Sequence, residues 1–290
     1  MSDLEGISCI SMSNYTKQGT EYLNVLKSVY EWFAQMGFNS IICDIHNDGD
    51  YVRTANVDRR VYKAGIGSLD ITAKYDFAIL IGFHGMEGAK GILTHTFKGE
   101  IKELKIGDKK AGEITTFITW LWEHNIPVSA VVGATGIEDE CAELQVPYFI
   151  SKTEKSDYFV NEISLLDEII KERGLIRSVP NKKIRISFYN EDIATWLSQN
   201  TSFIVDENEC IFSDVNEFIN NVISLCLEIN KGAKWIISRN LDFVEKLKQK
   251  NIKRDKFTKK IMHQVLIKSL DRVTEKDISL LKGVIGDEGD

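Results

Sequence analysis

Cysteine and proline are scarce in this chain of 290 residues. It has 5 cysteines, none of them in a Cys-x-x-Cys pair, which argues against a cysteine zinc site and against a disulfide framework. We expect reduced and mostly buried thiols. There are only 3 prolines, and low-complexity tracts and internal repeats are absent, so nothing marks a flexible linker. The one candidate domain boundary lies near Pro180.

Long apolar runs and an excess of positive charge are also missing. The longest apolar runs, such as residues 77–81, are far shorter than the about 20 residues that cross a bilayer. The N-terminus lacks the basic and then apolar segments of a signal peptide. A net charge of −7 gives no general attraction to nucleic acid or to an anionic membrane. We therefore expect a cytoplasmic protein without nucleic-acid or membrane partners.

Helical patterns and short apolar runs alternate along the first half of the chain. Residues 21–36 carry apolar side chains three and four apart and are followed by Gly37, a pattern that predicts an amphipathic helix. Short unbroken apolar runs are typical of strands covered on both faces of a parallel sheet. Such strands are predicted at residues 40–44, 77–81, 128–132, 146–150 and 235–238. The predicted fold class is α/β, with helices flanking a largely parallel sheet.

The remaining patterns make the sheet mixed and add a second lobe. Residues 102–106 predict a strand that ends in a turn, and residues 114–123 predict a helix entered directly after Glu113. Alternating side chains at 183–189 predict a half-exposed strand, and 215–229 predict a helix. The expected organisation is an α/β domain over residues 1–180, a smaller α+β lobe over 181–240 and a basic helical extension over 241–290.

Two of the predicted strands are followed by histidines. His46 comes after the strand at 40–44, and His84 comes after the strand at 77–81. Ligands of open parallel sheets bind beyond the carboxyl ends of the strands, so the two imidazoles are expected to converge there. Either histidine alone is more often a hydrogen-bonded or surface residue, and only the matched placement favours a shared site.

Carboxylates complete a candidate metal site. Asp3 and Glu5 would point to the same side of an extended segment, although composition alone favours a solvated acidic terminus. With Glu113 and the two histidines they would form a ligand set suited to two divalent cations about 3.5 to 4 Å apart. Oxygen and nitrogen donors without thiolates favour Zn²⁺ or Mn²⁺.

A glycine-rich segment over residues 82–91 leads to a third histidine, His95. The segment matches neither the phosphate-binding loop nor the dinucleotide-binding fingerprint, so it predicts close backbone approach to a metal or substrate, or a flexible turn. A histidine that borders a metal site without binding the metal can transfer protons to the leaving amine or stabilise the reacting carbonyl.

The order and spacing of these motifs resemble the DppA-type D-aminopeptidase family of metallopeptidases. The matching pieces are Asp3-Leu-Glu5-Gly, Asp44-Ile-His46, Gly82-Phe-His84-Gly, Gly91-Ile-Leu-Thr-His95-Thr and Ala111-Gly-Glu113. Several separated matches are much more specific than any one of them. The resemblance covers most of residues 1–240, more weakly beyond residue 150.

The resemblance implies a zinc enzyme, with two zinc ions per chain and Mn²⁺ as the alternative metal, that removes N-terminal D-amino acids such as D-alanine from short peptides. It also implies a homodecameric ring that encloses the active sites. By this resemblance Asp3 bridges the two metals, and His95 is the catalytic residue. The remaining metal ligands would be Glu5, His46, His84 and Glu113.

Two departures from the family pattern keep other functions open. Ala134 follows Gly133 where the family usually has aspartate, and a full strand precedes the Asp-x-Glu pair in the family but only Met1 and Ser2 do here. One alternative is a hydrolase of another amide or acyl substrate, and another is a catalytically silent, ring-forming assembly protein. Basic residues at 246–260 predict a solvated helix face or a subunit contact rather than a nucleic-acid site.

Overall fold

The computed structural model describes residues 1–3, 18–91, 94–153, 162–170, 174, 176–177 and 182–239. Glu5 and the predicted extension over residues 241–290, including its basic segment, lie outside the described residues. The predictions made for them therefore stay predictions. Within the described ranges, no helix combines the length and the apolar character needed to cross a bilayer.

Helices and strands alternate through the first two thirds of the fold. The helices are α1 (Gln18–Gln35), α2 (Asp50–Thr54), α3 (Glu113–Glu123), α4 (Glu138–Leu144), α5 (Glu162–Ile169), α6 (Glu191–Asn200) and α7 (Val215–Arg239). The strands are β1 (Ile42–Asp44), β2 (Tyr62–Ala64), β3 (Ala78–Phe83), β4 (Ile101–Ile106), β5 (Lys109–Ala111), β6 (Val128–Ala134), β7 (Tyr148–Lys152), β8 (Ile184–Phe188), β9 (Ile204–Asp206) and β10 (Glu209–Phe212). Short 3₁₀ turns at His46–Asp48 and Ile66–Ser68 follow β1 and β2.

A parallel sheet carries the first half of the chain. Strand β1 pairs in parallel with β2, and β6 pairs in parallel with both β3 and β7. Ser2 joins the two groups, because it forms parallel bridges to Asp44 of β1 and to Ile81 of β3. The order across the sheet is therefore β2, β1, the segment at residues 1–3, β3, β6 and β7.

Both faces of this sheet are covered, which explains the unbroken apolar runs. Along β3, Ile79 and Ile81 belong to the cluster that α1 and α5 pack against, whereas Leu80 and Phe83 belong to the cluster around α3. Successive side chains of a strand point to opposite faces, so a strand with two buried faces needs apolar residues at every position.

A second sheet is antiparallel, with the order β5, β4, β8, β10, β9. Strand β4 was expected in the middle of the mixed sheet, and it lies here instead. The antiparallel sheet takes strands from both sides of the predicted boundary near Pro180, so the smaller lobe shares its sheet with β4 and β5. The division into domains stays a prediction.

The strand predicted at residues 235–238 is wrong, because these residues lie inside α7. The short apolar run there continues a helical stripe rather than starting a strand. The buried side chains of this stripe lie three or four positions apart, at Val222, Leu225, Ile229, Ala233 and Ile236. This spacing places them on one face of a helix, and a four-residue run alone does not reveal it.

Candidate metal centre

Backbone hydrogen bonds hold Asp3 between the carboxyl ends of two parallel strands. The amide of Ser2 donates to the carbonyl of Cys43 at 2.8 Å, and the amide of Asp3 donates to the carbonyl of Ile81 at 2.9 Å. The amide of Ile45 donates back to the carbonyl of Ser2 at 3.0 Å. Asp3 therefore leaves the sheet where His46 and His84 follow β1 and β3.

The Asp3 carboxylate lies between these two imidazoles. Its Oδ1 is 2.8 Å from Nδ1 of His46, and its Oδ2 is 3.6 Å from Nε2 of His84. All three side chains are buried. One carboxylate with an imidazole beside each of its oxygens has the arrangement expected of a ligand shared by two metal ions.

Glu113 and His95 approach the other side of His84. Oε1 of Glu113 lies 3.7 Å from Nε2 of His84, and the His95 ring stacks on the His84 ring with 4.2 Å between their centroids. Donor atoms of these three residues all lie within 4.8 Å of one another, which is close enough to hold one ion. His95 therefore lies at ligand distance, although the resemblance assigned it a catalytic role.

Burial raises the pKa values of the Asp3 and Glu113 carboxylates, and the neighbouring imidazoles lower them. Burial favours the neutral form of Asp3, but the hydrogen bond and charge of His46, with further help from His84 and His95, leave its pKa below the ordinary value. Burial raises the pKa of Glu113, and the charge of His84 only partly opposes that rise. Proximity to imidazoles thus keeps Asp3 ionised inside the protein.

A third carboxylate, Asp44, holds the backbone of His46 in place. Its Oδ1 accepts hydrogen bonds from the backbone amide of His46 at 3.1 Å and from the Tyr22 hydroxyl at 2.9 Å, and its Oδ2 accepts from the amide of Val52 at 3.3 Å. Burial raises the pKa of Asp44 to about 6, although these donors oppose the rise. The sequence motif contained Asp44 but did not assign it this role.

The loop after His46 has an unusual backbone. Asn47 and Asp48 both have positive φ angles, 46° and 59°, and Gly49 continues in the left-handed region at 74°. Asparagine and aspartate tolerate this region better than most residues. The turn brings Nδ2 of Asn47 within 3.0 Å of Nε2 of His46, so both nitrogens of the imidazole have polar neighbours.

Phe97 fixes the Glu113 carboxylate with its backbone. Its amide donates to Oε1 of Glu113 at 2.8 Å, and its φ of 55° lies in the left-handed region, where a bulky side chain is disfavoured. The Phe97 ring packs edge-on against Phe218 and at a tilt against Phe117. These contacts offset the backbone strain and aim the amide at the candidate ligand. No local sequence signal predicts this contact.

These residues surround a cavity of about 430 Å³. One of its walls is helix α7, which contributes Val222, Ile223, Cys226 and Leu227. Leu227 lines the cavity and is 57% exposed. The cavity thus combines a polar floor with one apolar wall.

The structure brings together most of the side chains predicted from the sequence. Around the cavity lie Asp3, His46, His84, His95 and Glu113. Glu5 lies outside the described residues, so its predicted role as a ligand stays a prediction. The roles of these five side chains in binding and catalysis likewise stay predictions.

The sequence profile of the D-aminopeptidase family matches residues 1–167, which is more than half of the chain. The chain belongs to the D-aminopeptidase family. The family resemblance predicted from the motifs is thus confirmed, and so is the prediction that the protein is a peptidase. No curated protein sequence matches the chain at a significant level.

A solved structure of similar fold is the Zn-dependent D-aminopeptidase DppA from Bacillus subtilis, described as a self-compartmentalizing protease. The two chains share 14% sequence identity and superpose with a TM-score of 0.63. The similarity covers 79% of this chain and 96% of that one. At this identity the likeness shows the fold, and it confirms the predicted α/β class.

Proposed function

We propose that this member of the D-aminopeptidase family is a metal-dependent aminopeptidase that hydrolyses short peptides at their N-terminus and favours D-amino acids such as D-alanine. One observation carries the proposal. The Asp3 carboxylate lies 2.8 Å from the imidazole of His46 and 3.6 Å from that of His84, at the floor of a cavity.

The chemistry of the donor set fits two zinc ions. Asp3 and Glu113 are only 4% and 8% exposed, and burying carboxylates costs free energy that a divalent cation offsets. Two imidazoles and a shared carboxylate match the ligands that zinc accepts in hydrolases, whereas thiolates are not needed. Asp3 would be shared between the ions, and the other ligands would be His46, His84, Glu113 and the predicted ligand Glu5. When bound, the ions would polarise the scissile carbonyl and lower the pKa of a water molecule.

His95 has the position for proton transfer. Its ring stacks on His84, and it is only partly buried at the edge of the cavity. An imidazole there can donate a proton to the amine that leaves when the peptide bond breaks. We therefore assign leaving-group protonation to His95, and we assign orientation of the Glu113 carboxylate to the Phe97 amide.

The cavity supports a small peptide as the substrate. Its volume of about 430 Å³ lies within the range of roughly 300 to 1,000 Å³ that is typical of small-molecule sites. Among the described residues, the basic side chains of Arg53 and Lys98 line it. Arg53 pairs with Asp48 at 2.5 Å, whereas no carboxylate among the described residues lies within ion-pair distance of Lys98. Lys98 would receive the carboxylate of a short peptide, and the α7 wall would receive its side chain.

The deciding experiment measures metal content and cleavage on the same purified protein. We expect about two zinc ions per chain, in keeping with the bimetallic ligand set, and faster cleavage of D-Ala-D-Ala than of L-Ala-L-Ala. Activity should disappear on chelation and return on adding Zn²⁺ or Mn²⁺. Full activity after exhaustive chelation would contradict metal dependence.

Two other results would redirect the proposal. Bound metal without peptide cleavage would favour another amide or acyl substrate, the alternative that Ala134 motivates, and a panel of amides would then identify it. Protein that neither binds metal nor cleaves any amide would favour the assembly role.

A ring assembly belongs to the same proposal, because the related DppA is described as self-compartmentalizing. We expect this chain to form a homo-oligomer, with a decamer as the favoured size. Light scattering after size-exclusion chromatography measures the mass directly. A monomer at micromolar concentration would contradict the expectation.

A further inference from the structure

We propose that Glu140 is a positioning residue for metal binding: by capping the first turn of α3 it holds the Glu113 carboxylate in place. This inference rests on the proposed function, because it takes Glu113 as a metal ligand. Glu140 itself contacts the start of α3 from a separate helix, α4.

The contacts between Glu140 and α3 are specific. Its Oε1 accepts hydrogen bonds from the amide of Gly112 at 2.8 Å, from the amide of Thr115 at 3.1 Å and from the Thr115 hydroxyl at 2.7 Å. These donors flank Glu113, the first residue of the helix. The first amides of a helix have no partner within it, so a carboxylate supplied from outside satisfies them.

The helix cannot provide this cap itself. Its N-cap residue is Gly112, which has no side chain to accept the free amides. A Cβ atom at this position would lie 2.5 Å from Oε2 of Glu140 and 2.5 Å from Cβ of Met86, two residues after His84. The glycine therefore allows both Glu140 and Met86, in the loop that follows His84, to pack against the start of the helix.

The burial of Glu140 indicates a role beyond ordinary capping. The residue is only 3% exposed, and its Oε2 has no hydrogen-bond partner among the described residues. A buried carboxylate with one unpaired oxygen is costly, and an exposed serine or aspartate at the N-cap would satisfy the helix more cheaply. The interior position is explained if the cap also fixes the distances between helix α4, the loop that follows His84 and Glu113.

The test measures Zn²⁺ affinity by competition with a chelator, together with the melting temperature of the metal-free protein. Loss of a residue that orients a metal ligand typically costs on the order of 10- to 100-fold in metal affinity. We expect that loss for Glu140→Ala. Glu140→Gln keeps an acceptor oxygen for Gly112 and Thr115, so we expect the Zn²⁺ affinity of this variant to stay within about 3-fold of the wild type.

Glu143→Gln is the matched control, since Glu143 lies on the same helix and forms an exposed ion pair with Lys109 at 2.5 Å. We expect it to bind Zn²⁺ as the wild type does.

Wild-type Zn²⁺ affinity in Glu140→Ala, even with a lowered melting temperature, would overturn the inference. A loss of affinity in Glu140→Gln as large as that in Glu140→Ala would also overturn it. If Glu140→Ala does not fold, Thr115→Val decides, because it removes one donor to Glu140: weaker Zn²⁺ binding supports the inference, and unchanged binding overturns it.

Failure of this inference differs from failure of the proposed function. If the wild type binds no zinc, the proposed function fails. If the wild type binds zinc and the Glu140 variants bind it equally well, only the positioning role fails.

Discussion

Asp3 and His46 lie 43 positions apart in the chain, yet Oδ1 of the first is 2.8 Å from Nδ1 of the second. The sheet makes this contact, because the segment at residues 1–3 runs parallel to β1 and ends beside it. Neither side chain has the freedom of a surface residue, since both are buried. The pair is therefore preorganised before any metal binds, which reduces the conformational cost of binding.

Asp3→Asn should abolish most of the activity. The amide is nearly the same shape as the carboxylate, but it carries no charge and is a poor ligand for a divalent cation. We expect a loss of at least about 100-fold in kcat/KM, the size of effect that a small misplacement of catalytic groups produces. Steady-state kinetics on D-Ala-D-Ala measure it. Asp206→Asn, an exposed position on β9, is the control and should retain full activity. Equal rates in both variants would contradict the role of Asp3.

Zinc should stabilise the folded protein. A ligand that binds only the folded state at 100 times its dissociation constant adds about 2.7 kcal/mol to the free energy of unfolding. We expect a higher melting temperature of the metal-free protein on adding Zn²⁺, and no such rise in His84→Ala. His124→Ala is the control, because His124 caps the other end of α3. It should keep the full rise. A zinc-induced rise of wild-type size in His84→Ala would contradict the assignment of His84 as a ligand.

Much of the candidate site could be predicted from the sequence because its signals are local. His46 and His84 each follow a short apolar strand, and parallel strands bring their carboxyl ends to one edge of the sheet. The same alternation of helices and apolar runs predicted the α/β class. Glu113 was assigned through the Ala111-Gly-Glu113 motif of the family resemblance, rather than through a local structural pattern.

The rest of the fold depends on contacts that local patterns do not encode. Strand β4 pairs with β8, with Ile106 opposite Ile184 and Ile101 opposite Phe188, so the partners lie between 78 and 87 positions apart in the chain. The cap that Glu140 provides to Gly112 spans 28 positions. Residues 235–238 were assigned to a strand because a short apolar run suits a buried strand and a helix stripe equally well.

Tyr22→Phe should lower the free energy of unfolding, because the Tyr22 hydroxyl holds Asp44, and Asp44 in turn holds the backbone of His46. The Tyr22 hydroxyl is fully buried, donates to Asp44 Oδ1 at 2.9 Å and lies 3.0 Å from the Ser2 hydroxyl. Removing it takes one of the donors from the buried Asp44 carboxylate and a neighbour from the Ser2 hydroxyl, and the loss of a buried hydrogen bond to a charged group typically costs about 1 to 3 kcal/mol. Urea denaturation of the metal-free protein measures the loss in free energy of unfolding. Tyr148→Phe, at a position 41% exposed, should change it little. A value for Tyr22→Phe equal to the wild type would show that the hydroxyl contributes nothing.

Lys98→Met should weaken selectively the cleavage of peptides with a free carboxylate. Lys98 lines the cavity, and methionine keeps much of its length and apolar stem without the charge. A hydrogen bond between charged groups contributes about 1.5 kcal/mol or more, which corresponds to about tenfold in binding. We therefore expect KM for D-Ala-D-Ala to rise about tenfold, with no change for D-alaninamide, which has no carboxylate. Lys102→Met, on the exposed side of β4, is the control and should leave both values unchanged. If Lys98→Met raises KM equally for both substrates, the ammonium group does not recognise the carboxylate, and the apolar wall of α7 becomes the main source of substrate binding.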